Sequence, residues 1–317
     1  MVTLFTDARM LEHQPPRTHP ERPERLGAVL KHLARTGIAQ TCPTGLVREV
    51  TDDEILRVHT TGHLAHVRRF AERGGQIEAD TWMSAGSLLS ARLAAGAAVE
   101  AVTSVVTGPC PHAACLVRPP GHHAVADAPM GFCLFANVGI AAAHALESLG
   151  LNRVLIVDFD VHHGNGTQSL FYDDPRVGFL SIHRYPFYPG SGAADETGTG
   201  AGLGSTRNIP LAYGVTRDDY RAAFRNGLDS MADKLRPELV IISAGYDAHA
   251  EDPVGDLGLE VEDFVNLTRM ILDVAETHAG GRVVSVLEGG YNVPILAGCV
   301  AAHLEALGAE PLPEGSR

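Results

Sequence analysis

Basic residues are scarce in this sequence relative to acidic ones. Lys and Arg together number 25 against 38 Asp and Glu, which gives a formal net charge of −13. A nucleic-acid-binding surface needs clustered basic side chains that neutralise phosphates, so we expect no nucleic-acid partner. The acidic balance is compatible with a cationic substrate but does not identify one.

Cysteines are also few, and none belongs to a C-x-x-C pair. The set is Cys42, Cys110, Cys115, Cys133 and Cys299. An odd and scattered set argues against a disulfide framework and favours reduced thiols in a reducing compartment. We therefore expect a cytoplasmic protein.

Long apolar runs are missing as well. No stretch of about 18 consecutive apolar residues is available to span a membrane. The residues after Met1 (VTLFTDARM) lack the charged and apolar regions of a signal peptide. We expect neither a membrane partner nor a signal peptide. Hydrophobic residues make up 45% and charged residues 20% of the 317, a composition typical of a globular chain.

Apolar runs typical of buried strands alternate with segments of helical periodicity. Val154–Val157 and Leu239–Ser243 are two such runs, and Val261–His278 has the pattern of an amphipathic helix. The alternation predicts an α/β fold with a central, mostly parallel sheet and helices on both faces. No repeat or linker divides the chain, so we predict one domain over residues 1–317, with a frayed tail at 310–317.

Local signals place several helix starts. Pro23 suits the first turn of a helix, and Thr51 with Glu54 forms a capping box. An Ala-rich helix is predicted over Ala85–Val106. Asp80, which precedes it, is a candidate N-terminal cap for that helix.

The densest group of polar residues follows the Val154–Val157 run, where Asp158, Asp160, His162 and His163 lie close together in sequence. Sites in open α/β sheets gather at the carboxyl ends of strands. Asp160 and His162 are two residues apart, so in an extended segment both side chains point the same way. A solvated loop is the alternative, but two Asp and two His at the end of a buried strand are costly to leave unpaired.

A third candidate ligand follows another buried strand. Asp247 comes shortly after Leu239–Ser243. Asp160, His162 and Asp247 would give three protein ligands and an open position, which is the pattern of a catalytic metal. Zinc accepts such oxygen and nitrogen ligands.

Adjacent histidines follow a Gly-containing turn elsewhere in the chain. His122 and His123 come after the turn Arg118–Gly121, and tandem histidines there are poor residues for core packing. They could act as general base and general acid for a metal-bound water.

Seven segments in a fixed order resemble one known family. They are HPERPERL (His19–Leu26), DTWMSAGS (Asp80–Ser87), RPPGHHA (Arg118–Ala124), GFCLFAN (Gly131–Asn137), DFDVHHGNGTQ (Asp158–Gln168), SAGYDAH (Ser243–His249) and LEGGYN (Leu287–Asn292). Together they resemble the zinc-dependent deacetylases of the arginase/deacetylase superfamily, namely the histone deacetylases and acetylpolyamine amidohydrolases. Asn165 resembles the class II and bacterial members, since class I enzymes carry Asp there.

The resemblance implies a hydrolase that removes acetyl or other acyl groups from a lysine-like amine. It implies one catalytic zinc held by the three ligands named above. It also implies that His123 is the acid/base, that His122 is its electrostatic partner, and that Tyr291 donates its hydroxyl to the oxyanion. Asp158 would orient His122 and Asn165 would contact His123, as neighbours of the reacting groups. His163 is expected to be structural.

The resemblance further implies a narrow substrate tunnel. Phe132 and Tyr188 would form its walls with Gly131 and Gly289 beside them, while Asp80 would accept hydrogen bonds from substrate backbone at the rim. An apolar slot of this kind buries a methylene chain while the amide reaches the metal.

Two further features follow from the resemblance alone. Arg25 would line an internal channel through which the released acid leaves. A structural potassium ion would bind the backbone around Asp158, Asp160, His162, Ser181 and Ile182.

Position 254 bears on substrate choice. Polyamine-selective eukaryotic relatives carry a Glu seven residues after the third metal ligand, and this chain has Val254 there. We therefore expect an acyl-lysine peptide or an uncharged acyl-amide to be preferred over an acetylpolyamine. The alternative is that Glu251 or Asp252 supplies the charge instead.

Other patterns have plainer interpretations. His59, His63 and His66 have helical spacing that could bind metal, but no carboxylate accompanies them, so we favour a packing role. The Gly-rich segment Gly190–Gly204 lacks a G-x-G-x-x-G frame and is expected to be a flexible surface loop rather than a phosphate loop.

Three other functional classes remain open. An arginase-like enzyme with two metals would need more carboxylates. A catalytically silent acyl-lysine-binding module would usually lack a ligand or the tyrosine. An acetylpolyamine or small-amide deacetylase has the same site. The sequence is compatible with a homo-oligomer.

Overall fold

The computed structural model describes residues 1–311, and the predicted frayed tail at 310–317 lies almost entirely outside the described residues. The strands are β1 (Val2–Phe5), β2 (Gly75–Glu78), β3 (Thr81–Met83), β4 (His112–Cys115), β5 (Val154–Asp158), β6 (Val177–Arg184), β7 (Thr206–Leu211), β8 (Leu239–Ala244) and β9 (Val283–Leu287). The helices are α1 (Pro23–Thr36), α2 (Ile38–Thr41), α3 (Asp52–Ile55), α4 (Thr61–Arg73), α5 (Ser87–Thr107), α6 (Asn137–Glu147), α7 (Asn165–Leu170), α8 (Arg217–Leu235), α9 (Val261–His278) and α10 (Val293–Ala306). Short 3₁₀ helices lie at Ala8–Glu12 and Gly200–Gly202.

Seven of these strands form one parallel sheet in the order β1-β4-β9-β8-β5-β6-β7. The hairpin of β2 and β3 is separate and antiparallel. One group of helices, α5 and α6, contacts the sheet and each other, and a second group, α8, α9, α10 and α1, packs in succession. The predicted α/β class with a mostly parallel sheet is confirmed. The central strands β5, β8 and β9 are buried along their whole length, as strands covered on both faces must be.

The helix boundaries follow the local signals in two places. Pro23 is the first residue of α1, and Thr51 and Glu54 form the predicted capping box, with the Thr51 N–H donating to Glu54 Oε2 at 2.8 Å. Each arrangement satisfies or removes backbone donors that have no partner inside the helix.

The expected capping role of Asp80 is wrong. Helix α5 begins at Ser87, its N-cap is Gly86, and no side chain caps it. Asp80 lies in the turn between β2 and β3, where its Oδ1 accepts the backbone N–H of Gly131 at 3.0 Å. The turn chemistry of the β2–β3 hairpin therefore outweighs the capping preference of an acidic residue upstream of a helix.

Helix α5 is long and apolar enough, by length and composition alone, to cross a membrane. Among the described residues it is the one such helix, and 67% of its most apolar window is buried inside the fold. It packs against α6, β4 and β9, so it is accounted for as a core helix of the sheet.

The strand order brings four loops together. β4, β9, β8 and β5 are neighbours in the sheet. Their carboxyl ends lead into the segments that carry the tandem histidines, Tyr291, Asp247 and the Asp158–His163 cluster. This edge of the sheet is where a site is expected in an open α/β fold.

Candidate active site

Three buried side chains converge as potential metal ligands. Asp160, His162 and Asp247 each present one donor atom, and these atoms all lie within 4.8 Å of one another. His162 Nδ1 is 3.0 Å from Asp160 Oδ1 and 3.2 Å from Asp247 Oδ2. Among the described residues this is the one group of three His, Cys, Asp or Glu side chains with that geometry. The sequence prediction named the same three.

The chemistry of this set fits a divalent cation. Asp247 Oδ2 is buried and accepts no hydrogen bond. Burial, followed by the charge of Asp160, raises the pKa of the Asp247 carboxyl to about 7. Burial lowers the pKa of His162, but the neighbouring carboxylates of Asp160 and Asp247 together outweigh it and raise that pKa to about 9. Two buried carboxylates this close repel each other unless a positive charge lies between them, and zinc accepts two carboxylates and one imidazole.

Glycines allow the ligands to approach this closely. A Cβ at Gly289 would overlap the carboxylates of both Asp160 and Asp247, and one at Gly245 would overlap Asp160. The Gly289 N–H donates to Asp160 Oδ2 at 2.9 Å. Gly289, expected in the tunnel, therefore lies directly against the candidate metal ligands Asp160 and Asp247.

The tandem histidines occupy different electrostatic environments. His122 Nδ1 donates to Asp158 Oδ2 at 2.9 Å, whereas His123 Nδ1 donates to Asn165 Oδ1 at 2.8 Å. Their ring centroids are 3.9 Å apart. Burial opposes the charge of His122, but Asp160 and Asp158 outweigh it and raise its pKa well above the usual value. Burial, then the charges of His122 and His162, holds the pKa of His123 well below its usual value.

A residue that sequence reasoning did not single out supports the histidine loop. Glu288 Oε2 accepts the backbone N–H of Gly121 at 2.7 Å and of His122 at 3.1 Å. The side chain is fully buried, and burial is the main reason that its pKa is raised to about 7. Glu288 is part of the LEGGYN segment, so the available signal was an acidic residue at the end of a buried strand.

Tyr291 is held at the end of the same loop. Its backbone N–H donates to Asp252 Oδ2 at 2.6 Å, and its ring centroid lies 5.8 Å from that of Phe132. Burial is the main reason that the pKa of Tyr291 is raised well above its usual value. The hydroxyl therefore keeps its proton at neutral pH and remains a hydrogen-bond donor. Gly290, with φ of +117°, makes the turn before it.

Arg25 is not the surface residue that its helical position alone suggests. It is 1% exposed and donates to the carbonyls of Gly290 at 2.7 Å and Glu288 at 2.5 Å. Its guanidinium carbon lies 4.9 Å from the centroid of the Tyr291 ring. Arg25 therefore braces the backbone on either side of Gly289, and its role in an exit channel stays a prediction.

Behind Arg25 lies a compact ionic cluster, which sequence reasoning also missed. Glu21 accepts two hydrogen bonds from Arg118, at 2.9 and 2.8 Å, and lies 3.2 Å from His13 Nε2 and 3.4 Å from Arg25 Nη1. Burial opposes the ionised form of Glu21, but Arg118, His13 and Arg25 together outweigh it, and the net effect lowers the pKa of Glu21. Local sequence patterns do not reveal this cluster, because its main pair, Glu21 and Arg118, is separated by 97 residues.

The predicted tunnel residues border the site at different points. The Phe132 ring packs edge-on against His19 with centroids 4.6 Å apart. The Tyr188 ring is 5.2 Å from that of His123, and the residue is 38% exposed. Gly131, at φ +55°, lies against the His123 ring, where a Cβ would overlap it. These residues surround His123 and Tyr291 with apolar surface.

Phe187 is a neighbour of the site that the sequence prediction did not name. Its ring is stacked on the imidazole of His162, with centroids 5.2 Å apart and planes at 16°. The available signal was its position directly before Tyr188 in the FYPGSG segment.

The remaining site predictions concern His163 and the potassium site. His163 bonds to Ser191 Oγ and Gln168 Oε1, both at 2.9 Å, and is absent from the ligand cluster, in keeping with a structural role. Ser181 pairs with Asp158 across β5 and β6. Ile182 follows Ser181 in β6, and the potassium site stays a prediction.

Near the predicted substrate gate, Asp252 is already engaged. Its Oδ1 accepts the N–H groups of Val254 and Gly255, and its Oδ2 those of Tyr291 and Asn292. Asp252 is 8% exposed, so it serves as an anchor for the Tyr291 loop. Of the two acidic alternatives to Val254, only the exposed Glu251 remains available as a charge partner for a substrate.

His59, just before α4, and His63, within it, have the packing role that we favoured for them. His59 Nδ1 contacts the Val125 carbonyl at 3.0 Å, and His63 Nε2 contacts that of Leu134 at 2.8 Å. Burial lowers the pKa of His59 to about 3, so it is a neutral core residue.

Comparison with known proteins agrees with this geometry. The model of the histone deacetylase domain family matches residues 19–307. The chain is 42% identical to the human "Polyamine deacetylase HDAC10" over 94% of this chain and 46% of that protein. It is 37% identical to the "Histone deacetylase-like amidohydrolase" of Pseudomonas aeruginosa over 93% of this chain and 78% of that protein.

Solved structures give the same result. The crystal structure of the HDA15 HD domain matches with a TM-score of 0.92 and 38% identity, over 98% of this chain and 91% of that one. The chain spans about half the length of the human relative and most of the length of the bacterial one. A family model that matches nearly the whole described chain, together with this structural agreement, confirms the predicted resemblance. The chain belongs to the histone deacetylase family.

Proposed function

We propose that this protein is a zinc-dependent amidohydrolase that removes an acetyl or other acyl group from a lysine-like amine. The observation that carries the proposal is the buried Asp160–His162–Asp247 set beside two histidines whose pKa values are shifted in opposite directions. An opposed pair of titratable groups next to a metal-type cluster is the arrangement expected of an acid/base site.

Asp160, His162 and Asp247 would hold the zinc. When bound, zinc supplies an acidified water and a polarised acyl carbonyl, so that hydrolysis proceeds near neutral pH.

His123 transfers the proton from the water to the leaving amine. Its Nδ1–H donates to Asn165, which leaves Nε2 as the free acceptor on the neutral ring. The low pKa of His123 keeps that ring neutral and ready to accept a proton from water. The protonated ring then gives the proton to the leaving amine.

His122 and Tyr291 stabilise negative charge, and neither accepts a proton from water. His122 holds its own proton in the bond to Asp158 and provides a fixed positive charge beside His123. Tyr291 donates its hydroxyl to the acyl oxygen as negative charge develops there. Arg25 and Asp252 both hold the backbone of the Tyr291 loop, Arg25 through the Gly290 carbonyl and Asp252 through the Tyr291 N–H.

For the substrate, we propose an acyl-lysine peptide or an uncharged acyl-amide. Val254 offers no charge to a distant ammonium, and Asp252 is occupied by four backbone donors. An acetylpolyamine is the second candidate, favoured by the similarity to a relative named as a polyamine deacetylase. Glu251 is the acidic side chain that would serve it.

The test combines metal analysis with turnover. We expect the purified chain to contain about one zinc per molecule, to hydrolyse an acetyl-lysine reporter, and to lose both properties when dialysed against a chelator. Restored zinc should restore turnover. A folded protein that binds zinc but turns over no acyl-lysine peptide, acetylpolyamine or small amide would support the silent binding module instead.

A further inference from the structure

We propose that Arg184 is a positioning residue for the metal ligand His162, acting through Phe187; this inference rests on the zinc site proposed above. Arg184 ends β6 and touches no metal ligand side chain through a hydrogen bond of its own among the described residues. Its guanidinium carbon lies 4.3 Å from the centroid of the Phe187 ring.

The four side chains form a continuous column. The His162 imidazole stacks on Phe187, Phe187 on the Arg184 guanidinium, and Arg184 on the ring of Tyr213 at 4.5 Å. Tyr213 is 63% exposed, and its hydroxyl donates to Asp256 Oδ2 at 3.0 Å. The column therefore runs from a buried metal ligand to the surface.

The stack matters because His162 has to present one particular nitrogen. Its Nδ1 faces both Asp160 and Asp247, at 3.0 and 3.2 Å. A ring stacked nearly parallel to the imidazole restricts rotation of that imidazole about its Cβ–Cγ bond. The flat guanidinium of Arg184, which lies over the Phe187 ring, restricts Phe187 in turn.

Arg184 also ties the two ligand-bearing loops together. Its backbone N–H donates to the Val161 carbonyl at 2.9 Å, next to His162. Its Nη1 donates to the Gly255 carbonyl at 2.9 Å. Gly255 lies so close to the Asp247 carbonyl that a Cβ there would overlap it. Arg184 thus connects the two loops, through its backbone N–H to the loop of the imidazole ligand and through its side chain to the loop of the third ligand.

A purely electrostatic role and a positioning role for Arg184 predict changes of opposite sign in zinc affinity. Removing a positive charge near a cation site lowers repulsion, so zinc should bind more tightly if charge is all that Arg184 contributes. Loss of a group that orients a ligand typically weakens metal binding by about 10- to 100-fold. The sign of the change therefore separates the two roles.

The experiment measures zinc affinity by competition with a chromophoric chelator, using the full chain. We expect Arg184→Gln and Phe187→Leu each to raise the zinc dissociation constant by about tenfold or more. The double variant should be no weaker than the poorer single one, because both changes break the same stack. The matched control is Arg73→Gln, which removes another arginine stacked on a ring, that of Phe70, with its guanidinium carbon at 4.0 Å on helix α4.

A second readout follows ligand orientation rather than affinity. The visible absorption of the cobalt(II)-loaded site should change in Arg184→Gln and Phe187→Leu and stay the same in Arg73→Gln. If Arg184→Gln does not fold, Arg184→Lys keeps the charge without the planar guanidinium and should weaken zinc binding in the same direction.

The outcomes separate this inference from the proposed function. A wild-type chain that binds zinc tightly, with both variants binding it equally well or better, contradicts the role of Arg184 and leaves the proposed function intact. A wild-type chain that binds no zinc contradicts both.

Discussion

Two buried polar clusters lie close together in this molecule and differ in how completely they are paired. In the cluster around Glu21, the carboxylate receives two hydrogen bonds from Arg118 and has His13 and Arg25 beside it, so its pKa is lowered. In the cluster of Asp160, His162 and Asp247, a carboxylate oxygen has no donor and the pKa of Asp247 is raised to about 7.

This difference distinguishes a cluster that stabilises the fold from a cluster that can bind a ligand. A buried charge that is fully paired stabilises one arrangement of the chain and has nothing left to offer a ligand. A buried carboxylate that is left without a partner is costly unless something binds there. Arg25 connects the two clusters, because it contacts Glu21 on one side and the backbone before Tyr291 on the other.

The largest expected effect comes from breaking the incompletely paired cluster. Asp247→Asn removes one of three ligands and the negative charge that a cation needs. We expect a folded protein with little zinc and almost no activity, measured by metal analysis and reporter turnover. His162→Ala should behave in the same way, and Asp233→Asn, an exposed position on α8, should not. Stoichiometric zinc with full activity in Asp247→Asn would remove Asp247 from the ligand set.

Breaking the paired cluster should instead destabilise the fold. Glu21→Gln leaves Arg118, which is 0% exposed, without its counter-charge. Removal of one partner of a buried pair typically costs about 3–5 kcal/mol. Urea unfolding would measure the loss. The control is Asp7→Asn, which breaks the exposed pair with Arg9 and should cost at most about 1 kcal/mol. Equal losses in the two variants would contradict the contrast between the clusters.

The next expected effect is on catalysis alone, because a substitution at Tyr291 leaves the three proposed metal ligands unchanged. Tyr291→Phe removes one hydroxyl, and loss of one such donor typically lowers kcat by about 10²–10³. Zinc content should be retained, and inhibitor affinity should change by less than about tenfold. The matched control is Tyr172→Phe, at a half-buried position that the site and the Arg184 column do not include. Wild-type turnover by Tyr291→Phe would reduce Tyr291 to a packing residue.

The smallest expected effect concerns the rim. Val254→Glu should shift the ratio of kcat/KM toward acetylated spermidine and away from an acetyl-lysine peptide, since it adds a partner for the ammonium. Glu251→Gln should leave the wild-type ratio unchanged if Glu251 does not meet the substrate. A wild-type preference for acetylpolyamines of about tenfold, or 1.4 kcal/mol, would contradict the proposed substrate class.

The sequence predicted the fold class and the residues that converge at the site for a physical reason. Asp160, Asp247 and the tandem histidines each follow an apolar run, and parallel strands end at one edge of a sheet. The family resemblance supplied what spacing could not, such as the placement of Asn165 beside His123, which the structure has at 2.8 Å.

What the sequence did not reveal depends on contacts between distant segments. Glu21 and Arg118 are 97 residues apart, and Glu288 reaches Gly121 across 167 residues. A helix cap was one of the two roles considered for Asp80 and rested on its neighbours in sequence, whereas its Oδ1 accepts a hydrogen bond from Gly131, 51 residues away. Stacking on a metal ligand, as Phe187 does, leaves no spacing pattern at all.

The most direct test of the account is X-ray absorption spectroscopy at the zinc edge of the purified chain. The account predicts one zinc with only nitrogen and oxygen neighbours at about 2.0–2.2 Å, one of them an imidazole, and no sulfur neighbour. His162→Ala should lose the metal and therefore the zinc-edge signal itself. A sulfur neighbour, or a second metal at about 3.5–4 Å as in two-metal hydrolases, would contradict the ligand set of Asp160, His162 and Asp247.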